Sequence, residues 1–134
     1  MDNQTVIGSN SSPTILLIED DPLLVNLYKE KFENEGFNLL IAEDGEKGLK
    51  LALQEKFDII ILDLLLPKLS GIALLTQLRS DPKGKDLPVI VLTNLNEVEE
   101  TKKAIELGAK EFLVKADLTP SQLVEKINTH LNRI

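Results

Sequence analysis

Five short apolar runs, each followed by a stretch of helical periodicity, restrict what this sequence can fold into. The runs are Thr14–Ile18 (TILLI), Asn38–Ala42 (NLLIA), Asp58–Leu62 (DIIIL), Val89–Leu92 (VIVL) and Phe112–Val114 (FLV). Apolar residues fill successive positions rather than alternate ones, so both faces of each strand need cover. A parallel sheet between two helix layers supplies it. In the intervening segments Leu24, Leu27, Tyr28 and Phe32 form one helical stripe, and Leu49, Ala52 and Leu53 a second. Ile72, Leu75 and Leu78 form a third, capped by Ser70; Val98, Ala104 and Ile105 lie in a fourth, which Asn96 would cap while Glu99 reaches back. Thr119-Pro120-Ser121-Gln122 reads as a capping box with proline at the first helical position, ahead of Leu123, Val124, Ile127 and Leu131. Gly36 and Gly108 stand where helices should stop. Five strands alternating with five helices predict an α/β domain built on a doubly wound, mostly parallel sheet.

Composition narrows the function classes. A chain of 134 residues predicts one domain, and 15 basic against 22 acidic residues give a net charge of −7. That balance disfavours direct nucleic-acid binding, which needs cations to displace counterions from phosphates. Zero Cys excludes disulfides, thiolate zinc sites and Cys nucleophiles. The single His130 leaves no His-rich metal site or Ser–His triad, and reads as a solvated helix residue. No apolar run approaches the length of a membrane span, and Met1–Asn10 lacks the cationic start and apolar core of a signal peptide. Residues 1–12 read as a flexible, mostly polar lead-in and 13–134 as the folded domain. A soluble, cytoplasmic protein is the expectation.

In an open doubly wound sheet, function collects beyond the carboxyl ends of the strands. Glu19, Asp20 and Asp21 follow the first strand, Asp63 the third, Thr93 the fourth and Lys115 the fifth. Taken singly, each has an ordinary reading. The acids serve as helix caps or turn residues, as does Thr93; Lys115 is a solvated lysine and Phe112 core. Together they make chemical sense as a phosphoryl-transfer site. Oxygen-only ligands without His or Cys point to Mg²⁺ between the carboxylates. A hydroxyl and an ammonium opposite the acids would hold phosphoryl oxygens, and one carboxylate could itself be the nucleophile.

The segments ILLIEDD (Ile15–Asp21), FDIIILDLLLPKLSG (Phe57–Gly71), LPVIVLTN (Leu87–Asn94) and GAKEFLVK (Gly108–Lys115) resemble the receiver domains of bacterial two-component response regulators, the chemotaxis-type single-domain receivers among them. The spacings fit: 30 residues from Asp63 to Thr93 and 22 from Thr93 to Lys115. The resemblance covers 13–134 and implies the flavodoxin-like strand order 2-1-3-4-5. It implies Asp63 as phosphoacceptor, and Mg²⁺ held by Asp20, by Asp63, by the Leu65 backbone carbonyl and by Glu19 through water. It further implies Thr93 as switch hydroxyl, Lys115 as its cationic partner and Phe112 as switch aromatic. Asp21, just past the acidic pair, is left to cap the first helix.

A phosphohistidine on a sensor histidine kinase or phosphotransfer protein is the implied donor. The domain would supply the attacking oxygen and charge clamp without being an enzyme in its own right. The implied output is a shifted surface of helix four, strand five and helix five, which contacts a downstream protein and leaves room for a homodimer through that face. Three departures from the family pattern modulate the site. Ala116 follows Lys115 where a cis-proline is usual, Asn94 replaces a small residue, and Phe112 lacks a tyrosine hydroxyl. By the same resemblance Leu65 and Leu95 would flank the path of hydrolytic water, which predicts slow self-dephosphorylation. The acidic bulk of the fourth helix, Glu97, Glu99 and Glu100, reads as solvated surface. A flavin binder would need a Ser/Thr/Gly loop where Glu19-Asp20-Asp21-Pro22 stands, and a haloacid-dehalogenase-type phosphatase a second acid at Leu65. A degenerate receiver, binding partners without phosphorylation, is the alternative if Ala116 displaces Lys115. With the chain ending at Ile134, either a stand-alone receiver or one domain of a longer regulator or hybrid kinase is expected.

Overall fold

The computed structural model describes residues 12–94 and 97–132. The lead-in over 1–11, Leu95 and the Asn96 cap therefore lie outside the described residues. The strands are β1 (Thr14–Ile18), β2 (Asn38–Ala42), β3 (Ile59–Asp63), β4 (Val89–Thr93) and β5 (Glu111–Val114). Between and after them run α1 (Pro22–Asn34), α2 (Gly45–Gln54), α3 (Gly71–Ser80), α4 (Val98–Glu106) and α5 (Pro120–His130). All pairings are parallel, in the order β2-β1-β3-β4-β5. Strand ends differ from the expected ones by one residue at most. Asp58 stands just before β3, where its carboxylate accepts the Thr14 amide at 2.7 Å.

Side chains in the strands divide the core. Ile15, Leu17, Ile59, Ile61, Ile90 and Leu92 pack with Tyr28 and Phe32 of α1 and with Leu123 and Ile127 of α5. Leu16, Ile18, Ile60, Leu62, Val89 and Val91 face the opposite layer, where Leu51, Leu74, Leu78 and Ala104 meet them. Each fully buried Leu or Ile contributes about 1.5–3 kcal/mol. That burial on both faces explains the continuous apolar runs.

The helix ends follow their residues. Asp21 accepts the Leu23 amide and caps α1, Ser70 accepts the Ala73 amide, and Thr119 with Gln122 completes the capping box of α5. Gly36 and Gly108 adopt φ of 84° and 81°, the left-handed stop expected of them.

Three expectations fail. On α1, Val25 is buried while Leu27 is exposed: the inward face keeps Tyr28 and Phe32 of the expected stripe but turns toward Val25 and away from Leu27. On α4 only Ala104 is buried, and Val98 and Ile105 stand at the surface. His130 is not simply solvated: its Nε2 lies 2.7 Å from Glu111 Oε2, whose other oxygen holds Lys126 at 2.9 Å. Burial works against ionisation of Glu111, but the His130 and Lys126 contacts outweigh it and hold the carboxyl below its ordinary range. Among the described residues no helix is long and apolar enough to cross a membrane.

Candidate functional site

Register places the acids. Ile18 stands opposite Leu62 across the β1–β3 pair, so Glu19 and Asp63 are level at the carboxyl edge of the sheet. Asp20 joins them, and oxygens from Glu19, Asp20 and Asp63 all lie within 4.8 Å of one another. Glu19 and Asp63 are buried, whereas Asp20 is exposed at the mouth.

Lys115 reaches in from the end of β5. Its Nζ lies 2.9 Å from Glu19 Oε1 and 3.1 Å from Asp63 Oδ2. The peptide to Ala116 is trans, since no cis bond occurs among the described residues, and the chain turns through a short 3-10 segment over Lys115–Asp117. Ala116 thus reshapes the loop without displacing the ammonium.

Backbone donors fix the carboxylates. The Leu65 amide donates to Asp63 Oδ1 at 3.2 Å, and the Asp21 amide to Glu19 Oε2 at 3.1 Å. A side chain on Gly71 would put its Cβ 2.5 Å from the Asp63 carbonyl oxygen, so only glycine lets α3 start this close to β3. Gly71 belongs to the quoted sequence segment, but its spatial role shows only once α3 is docked.

Electrostatics follow from burial. Asp63 has its pKa pushed up to about 7, first by desolvation and then by the Glu19 charge, with Lys115 and the Leu65 amide opposing. For Lys115 burial lowers the pKa, yet the bonds and charges of Glu19 and Asp63 prevail and hold it above its ordinary value. Tyr28 beneath the site is raised as well, by burial and then by Glu19.

A divalent cation fits these donors. They are all carboxylate oxygens, the hard ligands Mg²⁺ takes, and they outnumber the one ammonium. Glu19 Oε1, although close to Lys115, accepts no well-directed hydrogen bond despite its burial. A buried carboxylate oxygen left so is suited to a metal or its bound water.

The remaining candidates make their contacts with the start of α4. Thr93, the last residue of β4, is buried, and its hydroxyl donates to Glu97 Oε2 at 2.9 Å, with the Asn94 carbonyl at 3.1 Å and Thr101 Oγ1 at 3.4 Å. Asn94 Nδ2 donates to the other Glu97 oxygen at 3.2 Å. Glu97 is therefore not surface: it is 6 % exposed and bonded to the proposed switch residue. Sequence reasoning missed it because Glu99 and Glu100 follow in the same acidic run. The sequence held no signal for it, because the four residues from Thr93 to Glu97 cross from a strand to a helix start, where no periodicity applies. Phe112 is not core but 43 % exposed, and it lines an apolar groove of about 340 Å³ with Thr93, Glu97, Val98 and Ile105. The Leu65 side chain, 55 % exposed, flanks Asp63 in sequence.

Comparisons with known proteins show the family. A profile described as the response regulator receiver domain matches residues 15–128. The chain is 39% identical over 103 residues to the DNA-binding dual master transcriptional regulator RpaA of Synechocystis, covering 77% of this chain and 43% of that protein. It is 40% identical over 119 residues to the transcriptional regulatory protein CpxR of Escherichia coli, covering 89% and 49%. The chain spans about half the length of the curated relatives it matches. Among solved structures, the CheY-like receiver domain protein of Methanospirillum hungatei superposes with a TM-score of 0.83 at 27% identity, over 91% of this chain and 95% of that one. The receiver domain of the Francisella response regulator 1452 gives 0.78 at 30% identity, over 88% and 95%.

Proposed function

The chain belongs to the response regulator receiver family of two-component signalling, and on that premise we propose that Asp63 accepts a phosphoryl group and the domain signals by protein contact. One observation carries the reading: a buried carboxylate at the end of β3, flanked by Glu19 and Asp20 and faced by Lys115 Nζ at 3.1 Å. The donor is a phosphohistidine on a sensor kinase or phosphotransfer protein in the cytoplasm. One Asp63 oxygen bonds to phosphorus as the phosphorus–nitrogen bond to the imidazole breaks. The imidazole departs with the bonding electrons, so the chain supplies a nucleophile and a charge clamp rather than turnover. Mg²⁺, held by Glu19, Asp20, Asp63 and the Leu65 carbonyl, supplies neutralisation of the acids and of the phosphoryl oxygens when bound.

Residues of the chain supply the rest. The Leu65 amide fixes one Asp63 oxygen, leaving the carboxylate a defined orientation. Lys115 offsets charge on Asp63 before transfer and on the phosphoryl group after it. Thr93 then turns its hydroxyl toward the new anion, and Phe112 moves into the groove beside it, changing the α4, β5 and α5 surface. The net charge of −7 argues against direct contact of these residues with DNA. A displaced Lys115 would favour a receiver that binds partners without phosphorylation, and its position beside Asp63 removes that support.

Incubation with acetyl phosphate tests the reading. Labelling should require Mg²⁺, vanish with EDTA and be abolished in Asp63→Asn; undiminished labelling of that variant refutes the assignment. The apolar Leu65 predicts an acyl phosphate lasting minutes or longer, followed by release of inorganic phosphate. Loss within seconds contradicts that part.

A further inference from the structure

Thr93 carries one hydroxyl proton, and its nearest acceptor is the Glu97 carboxylate at 2.9 Å, with the Asn94 carbonyl at 3.1 Å as another. Glu97 sits at the start of α4, buried, with Thr93 on one carboxylate oxygen and Asn94 Nδ2 on the other. Its backbone carbonyl also accepts the Thr101 hydroxyl at 2.7 Å. A carboxylate out of water with two side-chain donors loses much if either leaves.

The two ends of α4 are held differently. At its carboxyl end Arg79 donates Nε to the Leu107 carbonyl at 2.7 Å and Nη2 to the Gly108 carbonyl at 3.2 Å. The same guanidinium binds the carbonyls of Gly84 and Leu87. At its amino end the N-cap residue Glu97 makes no side-chain cap bond among the described residues. There the Glu97 carboxylate is the nearest side-chain tie back to Thr93 of β4, at 2.9 Å, with Thr101 Oγ1 at 3.4 Å. The helix is thus pinned at one end and latched at the other.

We infer that Glu97 is the latch of the receiver switch: its carboxylate holds the Thr93 hydroxyl away from Asp63, and phosphorylation must outbid it for that proton. The inference rests on the phosphoacceptor reading above. A phosphoryl group on Asp63 and the Glu97 carboxylate compete for a single donor, so Glu97 sets how much of the population is activated before any signal arrives. Glu97 is a positioning residue, acting through Thr93. When the bond breaks, the amino end of α4 is released while the Arg79 end stays fixed, and the groove beside Thr93 opens to Phe112.

The test titrates beryllofluoride with Mg²⁺ into the wild type, Glu97→Gln and Glu97→Ala, followed by amide NMR. Removing the charged acceptor should lower the half-saturating beryllofluoride concentration roughly tenfold in Glu97→Ala, with a smaller fall in Glu97→Gln. Before any addition, Thr93 and Phe112 resonances of both variants should already lie displaced along the line toward the saturated wild-type positions. Glu99→Gln removes an equal charge from an exposed position of α4 and should change neither readout. General loosening of the fold would weaken beryllofluoride binding, so tightening separates the latch from a structural role even if Glu97→Ala is destabilised. Unchanged or weakened binding in Glu97→Gln, with wild-type saturation intact, overturns the latch alone. A wild type that shows no response to beryllofluoride overturns the phosphoacceptor reading and the latch with it.

Discussion

Asp63 keeps its proton to about pH 7 in the folded chain, whereas an ordinary aspartate gives it up near 3.8. Across that window the native state binds a proton that the unfolded state has released, so stability falls as pH rises from about 4 to 7. Asp63→Asn removes the charge and keeps the shape. Without metal at pH 8 it should stabilise the fold by up to about 4 kcal/mol, or up to roughly 12–20 °C in Tm. The gain should disappear below about pH 4. Thermal melts in EDTA at the two pH values check this, and an equal or lower Tm for the variant at pH 8 contradicts it. The four charged residues of the site were legible because each follows an apolar strand, where the topology collects them on one edge. Thr93 was legible for the same reason. Its partner Glu97 was not, since periodicity cannot tell which acid of Glu97, Glu99 and Glu100 turns inward at a helix start.

At the scale of elements, strands were easier to read than helix faces. An apolar run buried on both sides needs no phase, so the runs marked β1 to β5 to within a residue. A helix stripe needs the correct rotation, and Leu27 on α1 with Val98 and Ile105 on α4 were assigned inward although they are exposed. Docking decides that rotation. For α4, a short helix with little buried surface, the decisive tie comes from a distant residue. Arg79 joins α3, the loop before β4 and the end of α4 through four carbonyls. Desolvation holds the Arg79 pKa below its ordinary value, yet the group stays charged at any physiological pH. Arg79→Ala would strand those carbonyls and should cost roughly 2–4 kcal/mol, read from urea midpoints. Arg79→Lys should recover only part of it, because an ammonium cannot span the fork. A loss within about 0.5 kcal/mol would show that the guanidinium is incidental.

For the whole molecule, parallel order and right-handed crossovers put Glu19, Asp20, Asp63, Thr93 and Lys115 at the carboxyl edge, while both faces of the sheet are buried. The same packing that excludes water from Glu19 and Asp63 raises the cost of their charges and leaves the site short of a cation. Net acidity, spread over the surface, serves solubility; the acids at the strand ends serve the site. The central claim is that one oxygen of Asp63 becomes bonded to phosphorus. Borohydride reduction of the acetyl-phosphate-treated protein, followed by peptide mass spectrometry, tests it most directly, because an acyl phosphate is reduced to the alcohol while a free carboxylate is untouched. Homoserine at position 63, dependent on Mg²⁺ during phosphorylation, is the predicted result. An intact aspartate at 63, or reduction at another acid of the cluster, would contradict it.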